Sequence, residues 1–171
     1  MNAIVLAVSV ALVAMQRLLE LRHSRRNERG LRAKGAVERG AGHYPLMVAI
    51  HILWLLSTLV EGLLRGPEFP AWWSVPLVLF LLAQILRYWA ILALGGNWNV
   101  RILVVPSMQP VRRGPHQFFP HPNYVAVAVE VLVFPLIFGA WVTALIFTAL
   151  NAAFLFVRIR EEDRALRELS G

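Results

Sequence analysis

Residues 123–157 read NYVAVAVEVLVFPLIFGAWVTALIFTALNAAFLFV, and the reading of this stretch decides the fold. A single charged residue, Glu130, interrupts a run long enough to enter a bilayer and return. Phe138-Gly139-Ala140-Trp141 reads as a tight turn that divides the run into spans Asn123–Gly139 and Ala140–Val157. One long tilted helix is the other reading. Pro135, just before the turn, favours the hairpin, because proline lacks the N–H that a helix interior uses. Working outward, further apolar runs lie at Ser74–Leu94, Pro45–Leu64 and Asn2 to about Leu21. The expected fold is all-α, a polytopic membrane protein with about five transmembrane helices, the last two forming a hairpin.

Composition agrees. A span takes about 20 apolar residues, so five occupy about 100 positions and leave loops but no separate soluble domain. Of the 171 residues, 58% are apolar and 16% charged, which exceeds the apolar share of ordinary soluble domains and excludes a soluble enzyme. The first run carries its positive charge after the apolar stretch, so it reads as a retained helix and not a cleaved leader. With no cysteine there is no disulfide, no thiolate nucleophile and no Cys-ligated zinc.

Lysine and arginine number 17 against 10 acidic residues, a net charge of +7. These cations sit between apolar runs, so they read as topological and not as a nucleic-acid surface. One cluster runs from Arg22 to Arg39, a second holds Arg101, Arg112 and Arg113, and a third holds Arg158, Arg160, Arg164 and Arg167; between spans two and three there is only Arg65. The positive-inside rule then expects those three segments and the C-terminus in the cytoplasm and the N-terminus outside. Trp72, Trp73 and Trp141 at the outer face and Trp98 at the inner face fit an aromatic belt.

That arrangement brings two unusual segments to one side, the loop Gly95–Tyr124 and the tail from Arg158. Arg158, Glu161 and Glu162 share one face if span five continues as a helix; a solvated helix end is the simpler account of them. In the loop, Arg112-Arg113-Gly114-Pro115-His116 and Phe118-Phe119-Pro120 precede His121-Pro122-Asn123-Tyr124, and the prolines argue for a fixed turn. A helix opening at Asn123 offers backbone N–H groups to a carboxylate or phosphate, flanked by His121 and Tyr124. Equally, Asn123 could serve only as a cap and Tyr124 as a belt residue. His116 and His121 lack the spacing and partners of a metal site, so no metal is expected.

Gly114-Pro115, His121-Pro122-Asn123-Tyr124 opening a membrane helix, then a hairpin, then Arg158-Ile159-Arg160-Glu161-Glu162 with Leu166 resembles the isoprenylcysteine carboxyl methyltransferase family of integral-membrane enzymes. The resemblance runs from about Gly95 to Leu169. The N-terminal part, with Arg17-Leu18-Leu19-Glu20-Leu21, Ser24 to Arg29 and His43-Tyr44-Pro45, is similar to a bacterial branch associated with O-methylation of alkylpyrone lipids. The resemblance implies S-adenosyl-L-methionine as methyl donor, contacted by His121, Pro122, Asn123 and Tyr124, with Glu162 at its amino group and Arg158 facing the acceptor. Arg101, Val111 and His116 are further cofactor candidates. Two departures stand out: the family usually has tyrosine at the position of His116 and arginine at that of Pro120.

Residue chemistry supports the same site. Glu162 can pair with an ammonium, the opening amides can take a carboxylate, and Phe118, Phe119 or Tyr124 can cover adenine. Methyl transfer to an oxygen needs alignment and desolvation more than a nucleophilic triad. Glu130 lies within a span, where a charge costs about 2.5 to 3.5 kcal/mol. It reads either as lining the substrate cavity or as a protonated group bonded to a neighbour such as Gln84 or His51. Arg87 reads as snorkelling to the surface.

The resulting expectation is a bacterial inner-membrane enzyme: one membrane domain, 1–171, with a methyltransferase core at 95–169, transferring methyl to a carboxyl, enol or hydroxyl of an amphiphilic acceptor from the bilayer. Nucleic acid is not an expected partner, and oligomeric state is left open. The competing readings are a nicotinamide-dependent membrane reductase, which shares the HPNY block, and a non-enzymatic scaffold whose basic first loop recruits anionic lipid.

Overall fold

The computed structural model describes residues 3–66 and 69–169. Five helices dominate it: α1 (Ala3–Ala33), α2 (His43–Leu64), α3 (Ser74–Leu94), α4 (Pro122–Ile137) and α5 (Trp141–Leu169). Four are long and apolar enough to cross a membrane, and α4, with 16 residues, is shorter. The all-α expectation therefore holds; α2, α3 and α4 end close to the spans read from the sequence, while α1 and α5 run on past the expected ends at Leu21 and Val157 to Ala33 and Leu169. Asn2, the expected start of the first span, lies outside the described residues.

Burial follows the logic of a bilayer. Leu12, Leu53, Leu82, Ile85, Leu92 and Phe156 are exposed on the outside, whereas Glu130, Arg87, Asn151 and Arg158 are 1–4% exposed. In hydrocarbon the apolar side chains lose nothing by facing outward, and polar groups must find partners within the protein.

The hairpin is real and its proline is compensated. Gly139 adopts φ 71°, and Ala140 N–H bonds the Pro135 carbonyl at 3.0 Å, so the chain reverses between α4 and α5. Pro135 cannot donate to the Val131 carbonyl four residues back. Buried Trp54 on α2 supplies the missing donor, its indole Nε1–H reaching the Val131 oxygen at 3.1 Å. The opposite helix end is also provided for. The Glu61 carboxylate of α2 accepts the backbone N–H groups of Val142 and Thr143 at 3.1 and 2.7 Å, satisfying the first turn of α5.

Two helices outrun the membrane. At 1.5 Å per residue, α1 is about 46 Å long and α5 about 44 Å, against about 30 Å of hydrocarbon. Their charged ends project from the same face. There the structure adds a ribbon that the sequence reading did not include: β1 (Val37–Arg39) pairs antiparallel with β2 (Ile102–Val104), Glu38 opposite Leu103. The far end of α5 packs on this ribbon through Ala165, Leu166 and Leu169 against Ile102 and Val104. Thus the first basic segment, the third loop and the tail share one face, as the charge distribution required.

Candidate active site

The loop from α3 to α4 is fixed at several points. Asn27, on the projecting turn of α1, donates to the carbonyls of Gly95 and Trp98, and Ser24 Oγ accepts from Val100 N–H at 3.0 Å. Gly114 has φ 58°, and a Cβ there would meet the Ala93 Cβ at 2.7 Å, so only glycine lets the loop lie this close to α3. Beyond it a 3₁₀ turn, Gly114–Gln117, leads to His121 at the mouth of α4.

Tyr124 is the hub. Its hydroxyl donates to Glu162 Oε2 and accepts from Arg158 Nε at 2.8 Å, tying the start of α4 to the end of α5. His121 stacks on the Tyr124 ring with centroids 5.3 Å apart, and its Nε2 lies 3.0 Å from Asp163 Oδ1. Arg158 also donates to the Val100 carbonyl, and its Nη1 lies 3.9 Å from Met47 Sδ of α2. Arg158, Glu162 and Asp163 therefore act as one unit with the HPNY segment. Asp163 was missed by sequence reasoning; the acidic run Glu161-Glu162-Asp163 was the available signal.

Two cavities meet at this hub. One, of about 360 Å³, is the more polar of the two and opens at the projecting face. Arg101, Val111, His116, His121, Asn123, Tyr124 and Glu162 all line it, so seven of the eight residues assigned to a cofactor share one wall system. The eighth, Pro122, is buried and lines neither cavity. The other cavity, of about 270 Å³, lies among α1, α2, α4 and α5 and is largely apolar, with Arg158, His51 and Asn151 among its polar groups. Trp98, Asn99, Asn123 and Tyr124 line both.

Several wall residues depart from expectation. Arg101 has its charge matched already, 2.6 Å from Glu38 and lying over the Tyr44 ring. Arg112 lines the polar cavity together with Pro120 and has no ion-pair partner among the described residues. The α4 opening offers fewer amides than expected: Pro122 has no N–H, and Tyr124 and Val125 N–H both turn to the His121 carbonyl. Asn123 N–H is the one left for an anion. Phe118 and Phe119 do not line the polar cavity, and Tyr124 with Trp98 provide its aromatic surface. Trp98 is 3% exposed and stacked on His23, so it is a wall residue and not part of an aromatic belt. Burial pushes the His116 imidazole below its ordinary value, keeping the ring neutral near neutral pH.

Glu130 lines neither cavity. Its Oε1 accepts from Gln84 Nε2 at 2.5 Å and Arg87 Nε at 2.8 Å, and its Oε2 from Arg17 Nη2 at 2.6 Å and from Arg87 Nη2. Glu20 completes the cluster, accepting from Arg17 at 2.7 Å and Arg87 at 3.1 Å. Two arginines and two glutamates cancel. The expected bond to Gln84 is present, but Glu130 is a carboxylate held between two guanidinium groups and not a protonated group, and it is its partners Arg17, Glu20 and Arg87 that line the apolar cavity. Arg87 does not snorkel, because its partners lie inside the bundle.

Membrane-length helices with charges inward and a polar site at one end define the class, a polytopic α-helical membrane protein. The model of the isoprenylcysteine carboxyl methyltransferase (ICMT) family matches residues 76–168. An uncharacterized protein of Bacillus subtilis, YpbQ, is 43% identical over 161 residues, covering 94% of this chain and 96% of that protein. An uncharacterized protein of Haemophilus influenzae is 26% identical over 163 residues, covering 95% of each. No solved structure matches. The chain belongs to the isoprenylcysteine carboxyl methyltransferase family, whose members are membrane methyltransferases that use S-adenosylmethionine.

Proposed function

We propose that the protein is an S-adenosylmethionine-dependent O-methyltransferase acting on an amphiphilic acceptor drawn from the bilayer. One observation carries this reading: a polar cavity and an apolar cavity share the Asn123–Tyr124 wall, with Glu162 lining the first and Arg158 the second. A water-soluble donor and a lipid-like acceptor then meet without either crossing the other's medium.

The donor's functional groups have complements in the polar cavity. Glu162 and Asp163 suit an ammonium, Arg112 and the Asn123 N–H suit a carboxylate, and Trp98 or Tyr124 suits a purine face. Two buried atoms, Asn123 Oδ1 and His116 Nε2, have no hydrogen-bond partner within the protein, as expected of a wall that completes its bonds with a ligand. The sulfonium supplies an electrophilic methyl group. Arg158, with Nε and Nη2 committed to Tyr124 and Val100, presents its remaining edge to an acceptor oxygen and aligns it. Residues 95–169 supply the cofactor loop and tail, and α1 and α2 wall the acceptor cavity. By the charge rule the site faces the cytoplasm and the N-terminus lies outside, in a bacterial inner membrane; a cysteine placed at Arg112 should then be labelled only from inside.

The test is calorimetry of S-adenosylmethionine with purified protein, followed by methyl-label transfer to a membrane lipid extract. Glu162→Gln should weaken cofactor binding by about 1 to 3 kcal/mol, and Arg158→Lys should bind cofactor but lose transfer. Absence of binding by the wild type would defeat the reading.

A further inference from the structure

The outward face of α1 carries a charge pattern that the site described above does not use. Arg22, Arg25, Arg26 and Arg29 are all exposed. At about 3.6 residues per turn they fall within an arc of roughly 100° on the helix surface. The other side of the same turns is committed to the protein: Ser24 is buried and bonded to Val100, Asn27 holds the Gly95 and Trp98 carbonyls, and Leu31 is buried. None of these arginines has an ion-pair partner among the described residues, whereas Arg17 and Arg32 of the same helix do. None of them lines either cavity.

The residues below this strip point to its occupant. Leu12, Met15, Leu18 and Leu19 are exposed on the same side of α1, within the membrane-length apolar part of the helix. The face that meets acyl chains therefore becomes the arginine face one turn further on. The headgroup layer adds about 5 to 7 Å beyond the hydrocarbon on each side, and Leu19 to Arg26 climbs about 10 Å. Helical side chains lean toward the N-terminus, which here is toward the membrane, so the guanidinium groups reach back into the phosphate layer. Topology alone would be satisfied by cations on any side of the helix. Here they gather above one lipid-facing strip, while Glu28, in the same turns, is turned to Arg32 and Arg101. That grouping suits an anion presented at the bilayer surface.

We infer that this strip of α1 is a binding site for anionic phospholipid. The lipid phosphate lies among the guanidinium groups of Arg22, Arg25, Arg26 and Arg29, and its acyl chains run along Leu12, Met15, Leu18 and Leu19. Arginine suits the phosphate because it donates through a planar fork and not as a point charge. Leu18 lines the apolar cavity while remaining exposed, so the bound lipid borders the opening of that cavity. The inference does not depend on the methyltransferase reading, and either can fail alone.

The experiment places a single cysteine in the cysteine-free chain, either Leu19→Cys on the strip or Ala49→Cys, an exposed position near the same end of the bundle on α2, whose first turns carry no arginine. Each cysteine carries a fluorophore, and the full chain is reconstituted in vesicles of equal parts phosphatidylglycerol and phosphatidylcholine. One lipid or the other bears brominated acyl chains, which quench on contact. At position 19 phosphatidylglycerol is expected to quench as if enriched about fivefold or more over phosphatidylcholine, and at position 49 the two should quench alike. Added salt should lower the ratio at position 19. Arg22→Gln, Arg25→Gln, Arg26→Gln and Arg29→Gln combined should bring it to the value at position 49, glutamine being a comparable helix former. Equal ratios at the two positions with all four arginines present would overturn the inference, and that comparison needs no arginine variant to fold. A ratio at position 19 that survives the four substitutions would overturn it too. Loss of the ratio on adding inorganic phosphate at an ionic strength where sodium chloride leaves it intact would show a site for soluble anions and overturn the lipid assignment.

Discussion

Tyr124→Phe removes one oxygen and keeps the ring, and the His121 stack at 5.3 Å should hold that ring in place. The lost hydroxyl is a donor to Glu162 and an acceptor for Arg158, so two charged groups each lose a hydrogen bond. Bonds to charged groups contribute about 1.5 to 3 kcal/mol when water cannot replace them. The two partners differ in this respect. The Glu162 side chain is 29% exposed, so water recovers part of its loss, whereas Arg158 is 4% exposed and recovers little. On the proposed reading, in which Glu162 pairs with the cofactor ammonium, cofactor affinity should fall by about 1 to 2 kcal/mol, roughly five- to thirtyfold. On the same reading methyl transfer should fall further, because an Arg158 guanidinium that has lost its bond to Tyr124 would align the acceptor less well. Calorimetry gives the first quantity and label transfer under saturating cofactor gives the second. Unchanged cofactor affinity together with unchanged transfer would refute the role of Tyr124 as the link between the two cavities.

Glu130→Gln leaves a buried net positive charge shared by Arg17 and Arg87 and should destabilise the protein by about 3 to 5 kcal/mol, read as a lowered unfolding midpoint, with cofactor affinity of the folded fraction little changed. Trp54→Phe strands the Val131 carbonyl and should cost about 1 to 3 kcal/mol; in a Pro135→Ala background, where residue 135 supplies its own N–H, the penalty should shrink, and a double-mutant cycle measures the difference. Burial raises the Glu38 pKa, but the hydrogen bonds from Arg101 and Arg32 outweigh it and hold the carboxyl below its ordinary 4.5. Its contribution to the ribbon is therefore complete above the ordinary carboxylate range and lost as pH falls through the lowered folded value. Glu38→Gln should erase that acid-side step in a series of melts between about pH 3 and pH 6.

How far the sequence carried the fold depends on what kind of information each element needs. Apolar length alone located the helices, because the bilayer imposes one minimum length on every span. Loop charge placed the Arg22–Arg39 segment, the Arg101–Arg113 loop and the tail together, because positive-inside topology is a one-dimensional rule. The HPNY segment and Arg158–Glu162 were also legible, since their residue types cluster in two short stretches. Partner choice was not legible. Glu130 could have been substrate-lining or bonded to Gln84, and only the packing of α1 and α3 against α4 brings Arg17 and Arg87 to it. Arg101 looks free in the sequence and is held by Glu38 only because β1 pairs with β2 across a separation that no local pattern encodes. Likewise the Val131 carbonyl freed by Pro135 is evident from the sequence, while its satisfaction by Trp54 depends on how α2 crosses α4. In a medium without water each buried polar group must take a protein partner, and such pairings are decided by proximity between distant segments. The sequence by itself determined where the chain enters the membrane and which residues gather at one face; the tertiary structure decided which of those residues are committed to one another and which remain open to a ligand.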